Sequence, residues 1–312
     1  MTKATLLLPP GSRFSGQQLG EVAARWLGRA DWLPRQAESR REQLQRYFQL
    51  IPNHWPVAAL TRQADVGDAT GARWLRADPC HVRPDINGAR LMACGEALSL
   101  DEADSTALLP ALKPVFGDSG FTIDAPTASR WYLRLPVEAK LPAFTDPADA
   151  LGADLFEHLA DGREGRRWRS LLGEAQVVLH NHPWNARRLE RGLLPINSLW
   201  FWGAGILPDT IRCKQANVFS EDETLRALAS ITSVLRPTPD RFQLHDGDSL
   251  FDLTAARDLA QVDAEWLQPA FVALLEKSLE SLQMDFEDGR QFVMKASQRW
   301  RFWRRPMRDF NA

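Results

Sequence analysis

Apolar and polar positions along the chain predict an uneven alternation of strands and helices. Residues 5–8 form a β-favouring apolar run that stops at Pro9-Pro10-Gly11, the pattern of a buried strand ending in a turn. Leu19, Val22, Ala23, Trp26 and Leu27 then recur at the spacing of an amphipathic helix. Segment 35–50 is charged early and aromatic late, at Tyr47 and Phe48, and predicts a second helix. Strands are expected at 74–81 and 90–94 around Asp85-Ile86-Asn87-Gly88, whose Asn-Gly pair is a hairpin signal. Ser99, with Glu102 three residues later, predicts a capping box for a helix over 100–112. Segments 121–124 and 129–135 alternate as strands, and the proline-rich 136–149 reads as a connector. A helix is expected over 165–179, where Trp168, Leu171, Leu172 and Ala175 share a face, and a strand over 198–202. Further helices are expected over 222–235 and 263–282. A hairpin over 283–295 turns at Glu287-Asp288-Gly289, and 298–304 reads as a final strand. Together these predict an α/β protein with a mixed sheet and an added α+β lobe.

Composition narrows the function classes. The 312 residues carry 38 basic and 40 acidic side chains, a formal charge of −2, so no global field recruits nucleic acid or an anionic membrane. No apolar stretch has the length of a membrane span, and residues 1–8 lack the pattern of a signal peptide. Three cysteines without CxxC spacing argue against a disulfide framework and against a cysteine zinc site, so a cytoplasmic protein is expected. Twelve tryptophans against two tyrosines are unusual, and tryptophan suits core or groove walls.

The densest candidate chemistry is His180-Asn181-His182-Pro183-Trp184-Asn185-Ala186-Arg187-Arg188, followed by a Gly-Leu-Leu-Pro-Ile-Asn turn (192–197) and Trp200-Phe201-Trp202-Gly203-Ala204-Gly205. Arginine offers bidentate donors to carboxylate or phosphate, and Arg76, Arg83, Arg130, Arg134, Arg187 and Arg188 are candidates. His180 and His182 add pH-sensitive contacts. Asn185 and Asn197 read either as ligand contacts or as turn closures, and Gly203 and Gly205 either as an anion approach or as ordinary backbone. The expected ligand-binding set is therefore Arg76, Arg130, His180, His182, Asn185, Arg187 and Asn197. His245, Asp246 and Asp248 are the candidate metal ligands, with Ser249 beside them. The tail Arg299-Trp300-Arg301-Phe302-Trp303-Arg304-Arg305 interleaves cations and aromatics. It suits either a single-strand platform or, preferred here, an edge strand guarded by charge.

The stretch HPWNARRLERGLLPINSLWFWGAG is similar to a segment of archaeal-type cofactor-independent phosphoglycerate mutases. That segment reads H-P-x-N-x-x-R, a Gly-x-x-Pro-x-Asn turn, then W-x-W-G-x-G. Trp74–His81, written by residue as WLRADPCH, resembles the AFRCN strand of those enzymes, and the segments at 98–112 and 129–133 resemble their inserted substrate domain. Over most of the chain the sequence resembles RpfE-type proteins, of the regulation-of-pathogenicity-factors cluster, which look like a divergent offshoot of the mutases. The resemblance is carried mainly by residues 73–207. It implies a reduced alkaline-phosphatase-like core (1–72 and 201–312) with an inserted lobe (73–200). In active members, the resemblance implies, two divalent metals and a serine nucleophile transfer the phosphoryl group. This chain departs from that pattern: its first strand runs into Pro9-Pro10-Gly11 instead of an Asp-Gly, and Ser12 and Ser15 lack a nucleophile context.

The leading expectation is a non-catalytic, regulatory relative that binds a small anionic metabolite or a regulatory protein, with no cofactor and no membrane partner. The alternative is an active phosphomutase or phosphatase with a rearranged site, which requires a divalent metal such as manganese, zinc or magnesium. A nucleic-acid-binding module built on the C-terminal segment is the third reading.

Overall fold

The computed structural model describes residues 2–85 and 88–310. They fall into two units, Met1–Ile51 with Thr210–Ala312, and Pro52–Asp209. The first unit begins with β1 (Thr2–Leu8), α1 (Glu21–Arg29), β2 (Asp31–Trp32), α2 (Arg40–Gln45) and β3 (Phe48–Ile51). The second contains α3 (Val57–Asp65), β4 (Arg73–Asp85), β5 (Gly88–Cys94), α4 (Glu102–Gly117), β6 (Thr122–Asp124) and β7 (Tyr132–Leu135). It continues through α5 (Pro147–Ala150), α6 (Leu155–His158), α7 (Gly162–His180), α8 (Trp184–Glu190) and β8 (Ser198–Ile206). The first unit resumes with β9 (Thr210–Cys213), β10 (Asn217–Phe219), α9 (Glu223–Ile231), β11 (Leu235–Arg236) and β12 (Ser249–Asp252). It closes with α10 (Leu259–Val262), a π-helical turn, α11 (Gln268–Leu275), β13 (Leu279–Phe286) and β14 (Gln291–Met294). Among the described residues no helix is long and apolar enough to cross a membrane.

The first unit is built on a seven-stranded sheet in the order β11-β10-β12-β1-β13-β14-β2. The first five of these run parallel, and β14 and β2 add on antiparallel. Residues 4–8 of β1 are all buried, as expected for a central parallel strand covered on both faces. Trp26 of α1 stacks on Phe271 of α11 with ring centroids 5.1 Å apart, and Phe219 stacks on Phe251 at 4.6 Å. A separate antiparallel pair joins β3 to β9.

The second unit holds a five-stranded antiparallel sheet in which the long β4 pairs with β5, β7 and β8. Its core gathers Phe116, Trp131, Trp168 and Phe201. Gly203 and Gly205 of β8 serve packing: a Cβ on Gly203 would lie 3.0 Å from the Val57 Cβ, and one on Gly205 2.4 Å from the Pro56 Cβ. The close approach of the α3 entry therefore accounts for both glycines.

The mixed α/β architecture matches the expectation, and several elements differ in detail. The unit boundaries fall at 51/52 and 209/210; within the second unit α3 packs on β8, and β8 runs on to Ile206. Segment 35–50 holds only a short helix, since Phe48 and Leu50 are buried while Gln49 and Ile51 are exposed, which is a strand period. The α4 cap is Asp101, reciprocated by Asp104; Ser99 sits in the left-handed region at φ 51°. The helix expected over 263–282 stops at Leu275, and Lys277 at φ 61° turns the chain into β13. The final segment is not a strand but a 3₁₀ turn, Ala296–Trp300, followed by a loop. The hairpin at 85–88 closes on an Asp85–Gly88 pair, while Ile86 and Asn87 lie outside the described residues.

Candidate functional site

In the second unit the expected ligand-binding residues separate into an internal set and a surface set. Arg76 is 2% exposed and forks onto Asp78, with Nε to Oδ1 and Nη2 to Oδ2 both at 2.8 Å. Asp78 also accepts from the Trp202 indole at 2.6 Å. Arg130 grips Asp65 through Nε at 2.8 Å and Nη2 at 2.7 Å, and the Tyr132 hydroxyl donates to the same carboxylate at 2.7 Å. Burial acts to raise the Asp65 pKa, but the donors from Arg130 and Tyr132 outweigh it and hold the carboxyl below its ordinary value of 3.8. Asn185 is buried and ties three chain segments together. Its Nδ2 donates to Leu179 and Ile196 carbonyls at 2.8 and 2.9 Å, and its Oδ1 accepts from the Ile196 amide at 2.8 Å. Asn197 exchanges hydrogen bonds with the Val82 backbone in both directions at 2.8 Å, as a surrogate strand residue would.

His180 and Arg187 are exposed, and the Arg187 guanidinium lies 5.3 Å from the Trp184 ring. His182 is half-buried and accepts from the Trp184 amide through Nδ1 at 3.2 Å. Arg188, next in sequence, is fully buried against Asp104 at 2.5 Å and the Leu98 carbonyl at 2.7 Å. The cluster therefore divides between fold-holding residues and a solvent-facing set.

Ligand sites in open α/β sheets form where the carboxyl ends of parallel strands meet. In the first unit those ends are Leu8, Phe219, Arg236, Asp252 and Phe286. Helix α2 reaches three of them, those of β1, β12 and β13. Arg40 donates to Asp252 Oδ2 at 2.7 Å and stands 3.7 Å from Asp222. The same Asp252 oxygen accepts from Ser220 Oγ at 2.6 Å, and its other oxygen accepts from Thr254 Oγ1 at 2.6 Å. Three residues along, the buried Gln43 amide donates to the Leu8 and Asp285 carbonyls at 3.2 and 2.7 Å. Three further, Arg46 pairs with the Asp285 carboxylate, which also accepts from Tyr47 at 2.5 Å and Gln291 at 2.6 Å. Asp285 is fully buried; desolvation raises its pKa against the pull of these donors, and burial likewise pushes the Tyr47 hydroxyl up. A spacing of three along one short helix and its C-cap residue Arg46 thus lays three polar side chains over three strand ends.

Beside this plug opens a cleft of about 550 Å³ lined by Ser12, Arg35, Glu38, Asp288 and Arg290, among others. Arg290 is held by Asp288 and by the Phe310 carbonyl, and Asp288 also accepts from the Gly11 amide at 2.8 Å. The cleft carries both signs of charge.

The candidate metal set is spread along the sheet. Asp246 and Asp248 meet Asn217 and Lys3 at the amino ends of the parallel strands, whereas the His245 ring lies against Phe219 and Phe251. Asp248 accepts from the Lys3 amide at 2.9 Å, and the His245 ring packs 4.6 Å from Phe219 with its Nε2 buried and unpartnered. Ser249 is buried at the same end. Among the described residues no group of three or more His, Cys, Asp or Glu is placed to hold a metal. A two-metal phosphoryl-transfer centre does not fit these donors: the two deep carboxylates near the strand ends are each held by arginine and hydroxyl or amide groups.

Reasoning from sequence missed Arg40, Gln43, Asp252 and Asp285. The available signal was an acid closing an apolar run, as in Ser249–Asp252 and again within Leu279–Phe286.

No family model matches the chain. A probable 2,3-bisphosphoglycerate-independent phosphoglycerate mutase of Geobacter sulfurreducens is 30% identical over 154 residues, 49% of this chain and 38% of that protein. The 2,3-bisphosphoglycerate-independent phosphoglycerate mutase of Methanosarcina barkeri is 42% identical over 64 residues, 20% of this chain and 16% of that protein. Over about half its length the chain is related to these mutases. The matched regions span well under half of the relatives' own length. Among solved structures, the cofactor-independent phosphoglycerate mutase of Thermoplasma acidophilum aligns over 94% of this chain and 89% of its own, with 14% identity and a TM-score of 0.44. The PH0037 protein of Pyrococcus horikoshii aligns over 94% and 87%, with 11% identity and a TM-score of 0.47.

Proposed function

We propose that this chain is a binding protein derived from the phosphoglycerate mutases and does not transfer phosphoryl groups. One observation carries the reading: the carboxylates deepest in the strand-end crevice, Asp252 and Asp285, are engaged by Arg40, Ser220 and Thr254, and by Arg46, Tyr47 and Gln291. Metal-assisted phosphoryl transfer needs carboxylates and imidazoles turned toward a shared ion, and neutralising them with guanidinium groups opposes that use. In this reading the chain serves a regulatory role of the RpfE type, in which the fold binds a small anionic metabolite or a protein. In the second unit the exposed Arg187 and His180 offer donors to such a ligand, and in the first unit, separately, Arg35 lines the open cleft while paired with Glu38.

The test is interconversion of 3-phosphoglycerate and 2-phosphoglycerate by the purified chain, with manganese, zinc or magnesium supplied. No turnover above the protein-free control is expected. Turnover abolished by a chelator overturns the proposal and restores the rearranged-enzyme reading.

A further inference from the structure

Seven of the twelve tryptophans are buried, and the three exposed ones are Trp32, Trp300 and Trp303. The last two flank Phe302, Trp300 as the last residue of the final 3₁₀ turn and Phe302 and Trp303 in the loop after it, and the three are 66%, 80% and 68% exposed. Rings that open to water are costly unless something covers them. The backbone beneath them is held firmly. The Met307 amide donates to the Ala24 carbonyl and the Leu19 amide to the Arg308 carbonyl, both at 2.8 Å. Arg29 Nη1 reaches the Arg299 carbonyl at 2.8 Å, and Arg301 returns a bond to the Arg29 carbonyl at 3.0 Å. Beyond the loop, Phe310 enters the core against Phe286. The loop is therefore preorganised, so the rings present themselves without an ordering cost.

Its charge is one-sided. Residues 295–308 contain six cations and no carboxylate, in a chain whose formal charge is −2. Arg301 pairs with Asp31, which lies outside the segment, whereas Arg304 and Arg305 are exposed and pair with no carboxylate among the described residues. Three projecting rings set among cations match a surface that is apolar inside and anionic outside. We infer that this loop docks the protein on an anionic phospholipid surface, with Phe302 and Trp303 entering the interface and Arg304 and Arg305 meeting the headgroups.

The geometry favours lipid over the other occupants. Phe302 and Trp303 meet edge to face, 81° apart at 5.4 Å, so they do not form the parallel faces on which successive bases stack. One face of Trp300 is already covered by the Arg299 guanidinium at 4.8 Å. A protein partner needs roughly 800 Å² on each side, more than one short loop supplies.

The test is flotation of the full chain with vesicles of phosphatidylcholine alone or with phosphatidylglycerol added, at low and high salt. Binding to the anionic vesicles, weakened by salt, is expected. The double variant F302A/W303A and the double variant R304E/R305E should each lower it roughly tenfold, with unfolding temperatures like that of the parent. Failure to bind anionic vesicles overturns the inference, as does binding that both variants leave intact. Tight association with oligothymidylate in place of vesicles, or a ring-dependent dimer, overturns it in favour of those occupants.

Discussion

Two clusters of arginine and aromatic side chains, one in each unit, use the same residue types to opposite ends. In the second unit Trp74, Arg62, Tyr132, Arg76 and Trp202 alternate, with guanidinium-to-ring distances of 4.4, 5.5, 5.6 and 5.1 Å. Each cation there has its acid: Asp68 and Asp124 for Arg62, and Asp78 for Arg76. In the first unit the segment 299–305 places its rings in solvent, and Arg304 and Arg305 pair with no carboxylate among the described residues. Partnering, not composition, separates a structural arginine–aromatic cluster from a binding one. A desolvated guanidinium persists only beside an anion, whereas an exposed one costs little and remains available.

The contrast can be broken most severely at Asp78. Asp78→Ala leaves Arg76 and the Trp202 indole buried without their acceptor, and should destabilise the second unit by about 3–5 kcal/mol, read as a fall in its unfolding midpoint. A change below about 1 kcal/mol would mean that the cluster is hydrated and not structural. The strand-end plug comes next. Arg40→Ala leaves the nearly buried Asp252 with only its hydroxyl and amide donors, and because Arg40 is partly exposed the expected cost is about 1–3 kcal/mol. Denaturant titration of the first unit measures it.

A smaller effect is expected from acid. Asp65 has a lowered pKa in the fold, so its contribution is present above its unfolded value near 3.9 and is lost as pH falls through the folded value. The stability difference between the parent and Asp65→Asn should stay level above about pH 4 and shrink below it. A difference that grows on acidification would reverse the assignment. Smallest of all, F302A/W303A should alter stability by no more than about 0.5 kcal/mol, as exposed positions do; a larger loss would place the rings in the fold after all.

Much of this architecture was legible where the apolar period was unambiguous. The continuous run at 4–8 has the central strand's signature, and Trp168, Leu171, Leu172 and Ala175 mark the face of α7 that is buried. The period failed where the chain changes element without glycine or proline. Lys277 takes the left-handed turn itself, so β13 read as more helix. The candidate site was less visible, because its partners are remote in sequence: Gln43 meets the Asp285 carbonyl across 242 positions, and Arg40 meets Asp252 across 212. Motif reading drew attention to Asn185 and Arg76, whose fixed spacing reflects turns and buried pairs within one unit. It also ranked the tail as an edge strand, since alternation of arginine and aromatic residues mimics a strand period that the backbone does not adopt.

The central claim is that the strand-end acids serve arginines and hydroxyls instead of metal ions. Elemental analysis of the untagged protein, dialysed against manganese, zinc and magnesium and then against buffer, tests it most directly. The account predicts no stoichiometric manganese or zinc retained by the parent. Two tightly held ions per chain, lost on substitution of Asp252 or Asp285, would contradict it.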